Sequence, residues 1–559
     1  MTTMPDTVPV RAGSGGSFDL TACPWIGVVG QDGSHEELSL REVFARAHRL
    51  RRCWGDLPTQ EFALTRLLLA ITRDALGGPR DSDDWAGLWD DPDCLAPVQE
   101  YLDTHRERFD LLHPEMPFFQ TAGLRTAKEE VFSLNRIVAD VPTGEPFLSA
   151  RMPTVERLPF GEAARWVVHA HAYDTSGIKS GMVGDERVRG GKVYPLGTGW
   201  AGGLGGVFVE GESLRETLLL NLVAADGRLE GGGDDRPAWR RAPSLAGGAE
   251  RAPSGPCDLY TWQSRRIRLH HDGDAVTGVV LGYGDPLASR NKHDWEPLTA
   301  WRRSPAQEKK LGQYPVYLPR EHDPARAVWR GIASLVADRT EAVQGAEAAA
   351  FLRPGVLEWV ALLVTEGHLP RGFLVRARVV GAVYGTQQSV IDDIVDDRLL
   401  MPVVLLHRQE RSYARQAVAA AEDAELVVRA LGDLAADLAR AAGRATEGPR
   451  DGAQRTGFDL LEEPYRQWLA VLAEADDPFA RRDVWKDEVR ALAFRVCGDL
   501  VRSAGAAAWQ GRTVAGKKGP VWLTAGLAEL WFRARLTRVL GDAAGGTGPA
   551  AATDDPEMT

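Results

Sequence analysis

The chain has 559 residues, 44% of them apolar, ample for more than one hydrophobic core and consistent with two to four domains at roughly 100–200 residues each. Its formal charge of -12 excludes a protein that coats nucleic acid by bulk attraction, so any nucleic-acid role must be local. The five cysteines are scattered, with no CxxC pair and no histidine at zinc-finger spacing, and no segment reaches the ~20 apolar residues of a membrane helix; the expectation is a cytoplasmic protein that is neither exported nor membrane-spanning.

Residues 1–17 are rich in Gly, Ser, Thr and Pro and read as a disordered tail. FDLTACPWIGVV reads as a strand with a turn at Cys23-Pro24, followed by a short second strand that Gly30-Gln31-Asp32-Gly33 ends. LSLREVFARAHRLRRCW and TQEFALTRLLLAITRDAL space their apolar residues by three and four, which predicts two amphipathic helices with Ser39 and Thr59 as N-caps. Residues 81–93 are acidic and loop-like, VQEYLDTHRERF reads as a helix, and DLLHPEMPFFQT as an ordered, packed loop. Residues 173–211 are glycine-dense and carry Lys179, Arg187, Arg189 and Lys192, a composition that permits close backbone approach and supplies cations.

Residues 224–256 have little apolar content and read as a mobile insertion. From 260 to 282 β-type residues alternate, giving a ribbon that turns at His271-Asp272-Gly273-Asp274. A basic loop covers 290–310, residues 323–343 read as a helix, and FLVRARVVGAVYG as a strand. The remainder reads as four long helices at roughly 398–442, 458–475, 483–510 and 520–540, with mobile stretches at 443–457 and 542–559. The fold class expected is therefore α+β: an irregular mixed domain over 18–395 followed by a four-helix bundle over 396–541.

Gly197-Thr198-Gly199-Trp200-Ala201-Gly202 matches G-x-G-x-x-G, but GLGGVFVEG follows it instead of a helix and no acidic residue stands at ribose-binding distance, so chance is the better account. A phosphate-binding P-loop fails at Glu186, where its first glycine belongs, and at Val193, where its hydroxyl belongs. Asp392, Asp393, Asp396 and Asp397 fall within about one and a half helical turns and could hold Mg²⁺ bridged to diphosphate. The plainer reading, favoured here, is an acidic junction at the start of the following helix, since no second carboxylate cluster appears later. No GxSxG elbow occurs, and His169 and His171 read as core or surface histidines; no catalytic residue, metal or cofactor is expected. Arg290, Lys292, Arg302, Arg303, Lys309 and Lys310, interleaved with Trp295 and Trp301, suit a strand-tracking groove and equally a solvated loop; Lys517 and Lys518 add charge at a helix junction.

Taken in order, FDLTACPWIGV, LSLREVFARAHRLRR with TRLLLAIT, DLLHPEMPFFQT, EAARWVVHAHAYDTSGIKSG, FVEGESLRETLLLNLV, YGTQQSVID and the terminal helices resemble the CasA family, the large subunit of the type I-E CRISPR Cascade complex. The resemblance covers most of the chain. It implies a non-catalytic subunit of an RNA-guided surveillance complex, with other Cascade subunits, crRNA, double-stranded target DNA and a helicase-nuclease as partners. In that family a glycine loop lies in the DNA minor groove to read the protospacer-adjacent motif, and the matching residues are Ser176, Gly177, Ile178, Lys179, Ser180 and Gly181. A glutamine wedge parts the first target base pairs to start the R-loop, and Gln387, Gln388 and Ser389 match it. Arg290, Lys292, Arg302, Arg303, Lys517 and Lys518 are candidate DNA-backbone contacts. The chain departs from the family in having no lysine between 272 and 284 and only Cys257 where some members have a cysteine cluster; the loop reaching the RNA 5′ end corresponds to residues 134–150. The rivals from other classes are a Mg²⁺-dependent diphosphate-processing enzyme using the 392–397 aspartates and a purely structural scaffold.

Overall fold

The computed structural model describes residues 16–139, 155–224, 235–337, 348–516 and 519–541. The chain divides into two compact units, Met1–Arg408 and Gln409–Thr559. The boundary expected at 395/396 falls inside a strand, Ile391–Pro402, that pairs along its length with Leu374–Tyr384. Hydrogen-bonded ladders are not divided between units, so the division lies further on.

The larger unit opens on a three-stranded antiparallel sheet in which Ile26–Gly30, buried throughout, is flanked by His35–Leu38 and Leu50–Trp54. Ser39 caps the following helix in a capping box: its N–H donates to Glu42 Oε2 at 2.9 Å and its hydroxyl accepts from the Glu42 N–H at 3.3 Å. That helix ends at Arg46, well short of the expected span, because Leu50–Trp54 instead pairs with the open edge of the central strand. Tertiary pairing outweighs helical periodicity there. The next helix, Pro58–Leu76, starts with Pro58 at its first turn and Leu57 as N-cap; Thr59 instead meets His169 Nε2 at 3.0 Å. It is buried on all sides from Thr59 to Thr72 and forms the spine of the unit, packed by the helices Phe160–Tyr173 and Pro256–Tyr260.

Two loop expectations and one helix expectation are corrected. Residues 81–93 contain a helix, Ser82–Asp90, capped by Asp81 and anchored by Trp85, which is 0% exposed and donates its indole N–H to Leu219 O at 2.7 Å. The insertion expected to be mobile at 224–256 is built into the fold from residue 235 onward, residues 225–234 lying outside the described residues. Trp239 is buried with its indole on Tyr101 Oη at 2.6 Å, and the Asp235 carboxylate caps the Pro256–Tyr260 helix by accepting from Cys257 N and Asp258 N at 2.9 and 3.0 Å. One tryptophan and a set of polar bonds replace the apolar content the segment lacks. Of the helix expected over 323–343, residues 323–337 instead hold a turn, Val328–Gly331, and one short helix, Ala333–Val336, and 338–343 lie outside the described residues.

The ribbon Arg265–His271 with Val276–Tyr283 turns where expected, Asp272 Oδ1 accepting from Asp274 N and Ala275 N at 3.1 Å each. The basic loop contains a strand, Trp301–Arg303, central in a three-stranded sheet, and a helix, Pro305–Leu311. The largest hairpin joins Leu374–Tyr384 to Ile391–Pro402, and its first strand also pairs with Gly206–Val209.

The smaller unit holds four long helices, Arg411–Ala441, Glu447–Ala470, Pro478–Ser503 and Ala525–Leu540, with the first packed against the other three. Small residues along it, Ala417, Ala420, Ala421 and Ala424, are buried and let its partners approach closely. Two of its carbonyls, Ala417 O and Ala420 O, also accept from Tyr465 Oη at 2.8 Å and Trp485 Nε1 at 3.0 Å. The bundle is as expected in class but its bounds move. The first helix starts at Arg411, the stretch 443–457 is mostly helix, and residues before Ala525 form a hairpin, Arg512–Gly516 with Gly519–Leu523. No helix among the described residues is long and apolar enough to cross a membrane.

Candidate nucleic-acid interface

The tip of the long hairpin is a single tight turn, Thr386–Gln388, closed by Gly385 N donating to Val390 O at 3.1 Å. Gln387 (φ 57°) and Gln388 (φ 56°) both lie in the left-handed region, and both are exposed. Holding two non-glycine residues there costs about 1–2 kcal/mol each. Part of the compensation is visible: Gln388 O accepts from Ser176 N at 2.8 Å. The hairpin tip and the glycine loop, distant in sequence, are thus joined through their backbones.

The loop is clamped from beneath. Tyr283, at the end of the ribbon, accepts from Gly177 N at 3.0 Å and donates to Gly177 O at 2.7 Å through the same hydroxyl. Asp174 pairs with Lys179 Nζ at 2.7 Å and with Arg265 Nε, while Arg265 Nη2 donates to the carbonyls of Asp174, Thr175 and Gly197 at 2.9, 3.1 and 3.0 Å. Both cations lie over the Tyr283 ring, at 5.4 Å for Lys179 and 4.8 Å for Arg265. Burial would raise the Asp174 carboxyl, but Lys179 and Arg265 hold it below the usual carboxylate range; burial pulls the Lys179 ammonium down.

Lys179 is therefore only 11% exposed, its charge engaged by Asp174, and the side chain the loop presents outward is Ile178, 57% exposed. Ser180 is half-buried and pairs with Lys192 in a two-residue ribbon. The glycine at 181 serves its own fold, since a Cβ there would sit 2.6 Å from Val188 Cγ1. At Gly177 a Cβ would meet nothing within 4 Å.

The G-x-G-x-x-G stretch ends in a short turn, Trp200–Gly203. A Cβ at Gly199 would lie 2.4 Å from Ala172 C and one at Gly202 2.2 Å from Tyr384 Oη, which itself donates to Tyr173 O at 2.6 Å. These two glycines let the turn pack against the end of the Phe160–Tyr173 helix and the neck of the hairpin. Beside Gln388 a cleft of about 280 Å³ opens, bordered by the 197–200 backbone, Tyr283, Arg265, Leu287 and Arg302.

The other candidates separate. His169 and His171 are core residues whose imidazoles burial pushes down to about 3 and about 4. Arg290 and Arg302 are exposed, Lys292 lies over the Trp295 ring at 4.9 Å, and Arg303 is engaged bidentately by Glu308 at 2.7 and 3.0 Å. Trp301 is 0% exposed, packed with Tyr317 and Leu352, so it is no stacking platform. Lys517 and Lys518, and positions 140–150 of the loop expected to approach the RNA, lie outside the described residues.

Asp392, Asp393, Asp396 and Asp397 stand on the second hairpin strand, not on a helix, which corrects the geometry assumed for a Mg²⁺ site. Alternation sends Asp396 to one face and Asp393 and Asp397 to the other, while Asp392 falls at the irregularity where Val383 pairs with Asp393 and Tyr384 with Ile391. Asp396 binds Arg378 at 2.7 and 3.0 Å, and Asp397 Oδ2 accepts from Val328 N at 2.8 Å. No group of three or more His, Cys, Asp or Glu positioned for a metal occurs among the described residues. Sequence reasoning missed the clamp of Asp174, Arg265, Tyr283 and Tyr384; Arg265, within the alternating run of 260–282, was its visible trace.

The fold recurs in known structures of CRISPR-associated proteins. Thermobifida fusca Cse1 superposes with a TM-score of 0.86 at 56% identity, covering 94% of this chain and 98% of that one. Cse1 from Acidimicrobium ferrooxidans gives 0.79 at 32% identity with the same coverage. The CasA/Cse1 protein of Thermus thermophilus is 29% identical over 481 residues, 83% of this chain and 84% of that protein. The family model for CRISPR-associated protein Cse1 matches residues 19–496. The chain belongs to this Cse1 family, the CasA large subunits of type I-E Cascade that its sequence resembles.

Proposed function

We propose that the chain is the non-catalytic subunit of an RNA-guided surveillance complex that reads the protospacer-adjacent motif and opens the duplex beside it, with residues 176–181 and 387–389 acting as one element. The observation that carries this reading is the Ser176–Gln388 backbone bond together with the two exposed, left-handed glutamines. A wedge must resist the force of restacking, and a tip pinned to a clamped loop does so. The loop meets the minor groove through Ile178 and its backbone, while Lys179 stiffens it from behind. Minor-groove readout distinguishes A·T from G·C with little further detail, so several related motifs are accepted. With a net charge of -12, phosphate attraction is confined to local residues such as Arg290, Lys292 and Arg302. Once the R-loop has formed, the subunit helps recruit the helicase-nuclease.

Replacing Gln387 and Gln388 by Ala in the assembled complex is expected to abolish opening of a linear target in a permanganate footprint and to leave assembly intact. An unchanged footprint overturns the reading.

A further inference from the structure

The two-residue alternation of extended chain divides the residues around the glycine loop between two faces. In the short ribbon Lys179 pairs with Val193 and Ser180 with Lys192. Lys179 and Val193, 11% and 2% exposed, face the fold. Lys192 therefore points outward, as do Ile178 and Tyr194, the next residues in register, at 57% and 65% exposed. Arg189 joins the same face. Its N–H donates to Lys192 O at 2.8 Å and its carbonyl accepts from Lys192 N at 3.2 Å, an exchange of both bonds that sets the two side chains next to each other. Gly190 (φ 57°) and Gly191 (φ 75°) form the tight turn between them, so backbone geometry fixes the spacing of the two cations.

Like charges directly opposite one another destabilise a ribbon, and no carboxylate among the described residues relieves this pair. The other cations of the stretch, Lys179 and Arg187, are engaged by Asp174 and Asp185. Arg189 donates Nη1 only to the carbonyls of Glu186 and Val188, at 2.7 and 2.9 Å, and both Arg189 and Lys192 are exposed. In a chain of net charge -12, two adjacent cations held open to solvent call for an anion from outside. The rest of the face limits which anion. Ile178 and Tyr194 suit the deoxyribose faces that wall a duplex groove, while the paired cations suit the phosphates along its rim. An acidic protein surface would satisfy the cations and offer the two large apolar side chains only further charge.

We propose that Arg189 and Lys192 bind neighbouring phosphates of one strand of the target duplex, with Tyr194 against the sugar between them, an assignment that rests on the motif-reading role of residues 176–181. Ser180 pairs directly with Lys192, so the phosphate grip and Ile178 belong to one ribbon. The grip fixes the register and the depth at which Ile178 enters the minor groove and carries no sequence information of its own.

The test measures the affinity of the assembled complex by fluorescence anisotropy, for one duplex bearing an accepted motif and one lacking it, between about 50 and about 200 mM salt. Arg189→Gln with Lys192→Gln is expected to weaken binding about tenfold at the lower salt, to lose most of that difference at the higher, and to lower the salt slope by about 1.8, at about 0.9 per phosphate contact. Both duplexes are expected to respond alike, leaving their affinity ratio unchanged. The charge-preserving exchange, Arg189→Lys with Lys192→Arg, is expected to keep the wild-type slope. An unchanged slope in the glutamine variant, a change on one duplex only, an equal fall in the charge-preserving variant, or failure of the glutamine variant to join the complex each overturns the assignment; the last would give the face to an acidic protein partner. Wild-type complex that binds both duplexes equally removes the motif reading and this assignment with it, whereas discrimination between them with an unchanged slope in the glutamine variant removes this assignment alone.

Discussion

Asp174 is the single residue on which the loop geometry most depends, because one carboxylate neutralises two buried cations, Lys179 and Arg265. Removing one partner of a buried pair typically costs about 3–5 kcal/mol, since the remaining charge is stranded in a low dielectric. Asp174→Ala is expected to lower stability by about that amount in urea melts. Lys179→Met is expected to cost far less, for it deletes an ammonium whose burial is unfavourable and leaves the Asp174–Arg265 pair in place. Equal losses in the two variants would contradict the asymmetry. The pH signs also differ. The Asp174 carboxyl is depressed when folded, so its contribution is present above its unfolded value of 3.8 and declines as pH falls through the lower folded value. Lys179 is depressed from 10.5, so its burial opposes folding at neutral pH and this cost is relieved as pH rises through the folded value.

The long hairpin separates strain from chemistry at the scale of an element. Gln387 and Gln388 occupy backbone conformations that glycine adopts freely, so Gln387→Gly with Gln388→Gly is expected to stabilise the hairpin by about 1–2 kcal/mol while removing the amides proposed to act on the duplex. Slower amide exchange along Leu374–Tyr384 together with lost R-loop formation is the outcome expected; faster exchange would mean that the glutamines support the turn. The hairpin also marks how far the sequence could be read. Its first strand was legible from the β-branched run in FLVRARVVGAVYG, and the glutamine tip from its resemblance to the family. The second strand was not, because IDDIVDDRLL carries its charges at a spacing that fits a helix as well as a strand, and only pairing with Leu374–Tyr384 decides between them. The link from Gln388 to Ser176 was invisible for a different reason: it is a backbone bond between distant segments, and no side chain encodes it. Lys179 was legible as a cation near a glycine loop, but its engagement depends on Asp174, whose position follows from the end of the Phe160–Tyr173 helix.

At the scale of the whole molecule, the histidines are distributed unevenly. All twelve precede residue 408, and residues 409–559 contain none. Burial pushes His169 down to about 3 and His171 and His322 each to about 4, so the folded larger unit keeps them neutral at pH values where an unfolded chain protonates them. The unfolded state then binds more protons, and stability falls as pH drops from about 6.5 toward 4, by up to ~1.4 kcal/mol per pH unit for each histidine. The bundle has the opposite tendency at its own buried acid. Asp437 is raised by burial above its usual 3.8, so its protonation at low pH favours the folded form. Hydrogen exchange of the full chain at pH 7 and pH 5, corrected for intrinsic rates, is expected to show protection falling in the Phe160–Tyr173 helix and holding in the Arg411–Ala441 helix. Parallel losses in both, or none in the first, would contradict this assignment of acid lability to the histidines of the larger unit. Because that helix ends at Asp174, the loop proposed to read DNA loosens first as pH falls, and motif recognition is expected to weaken at pH values where the bundle is still intact.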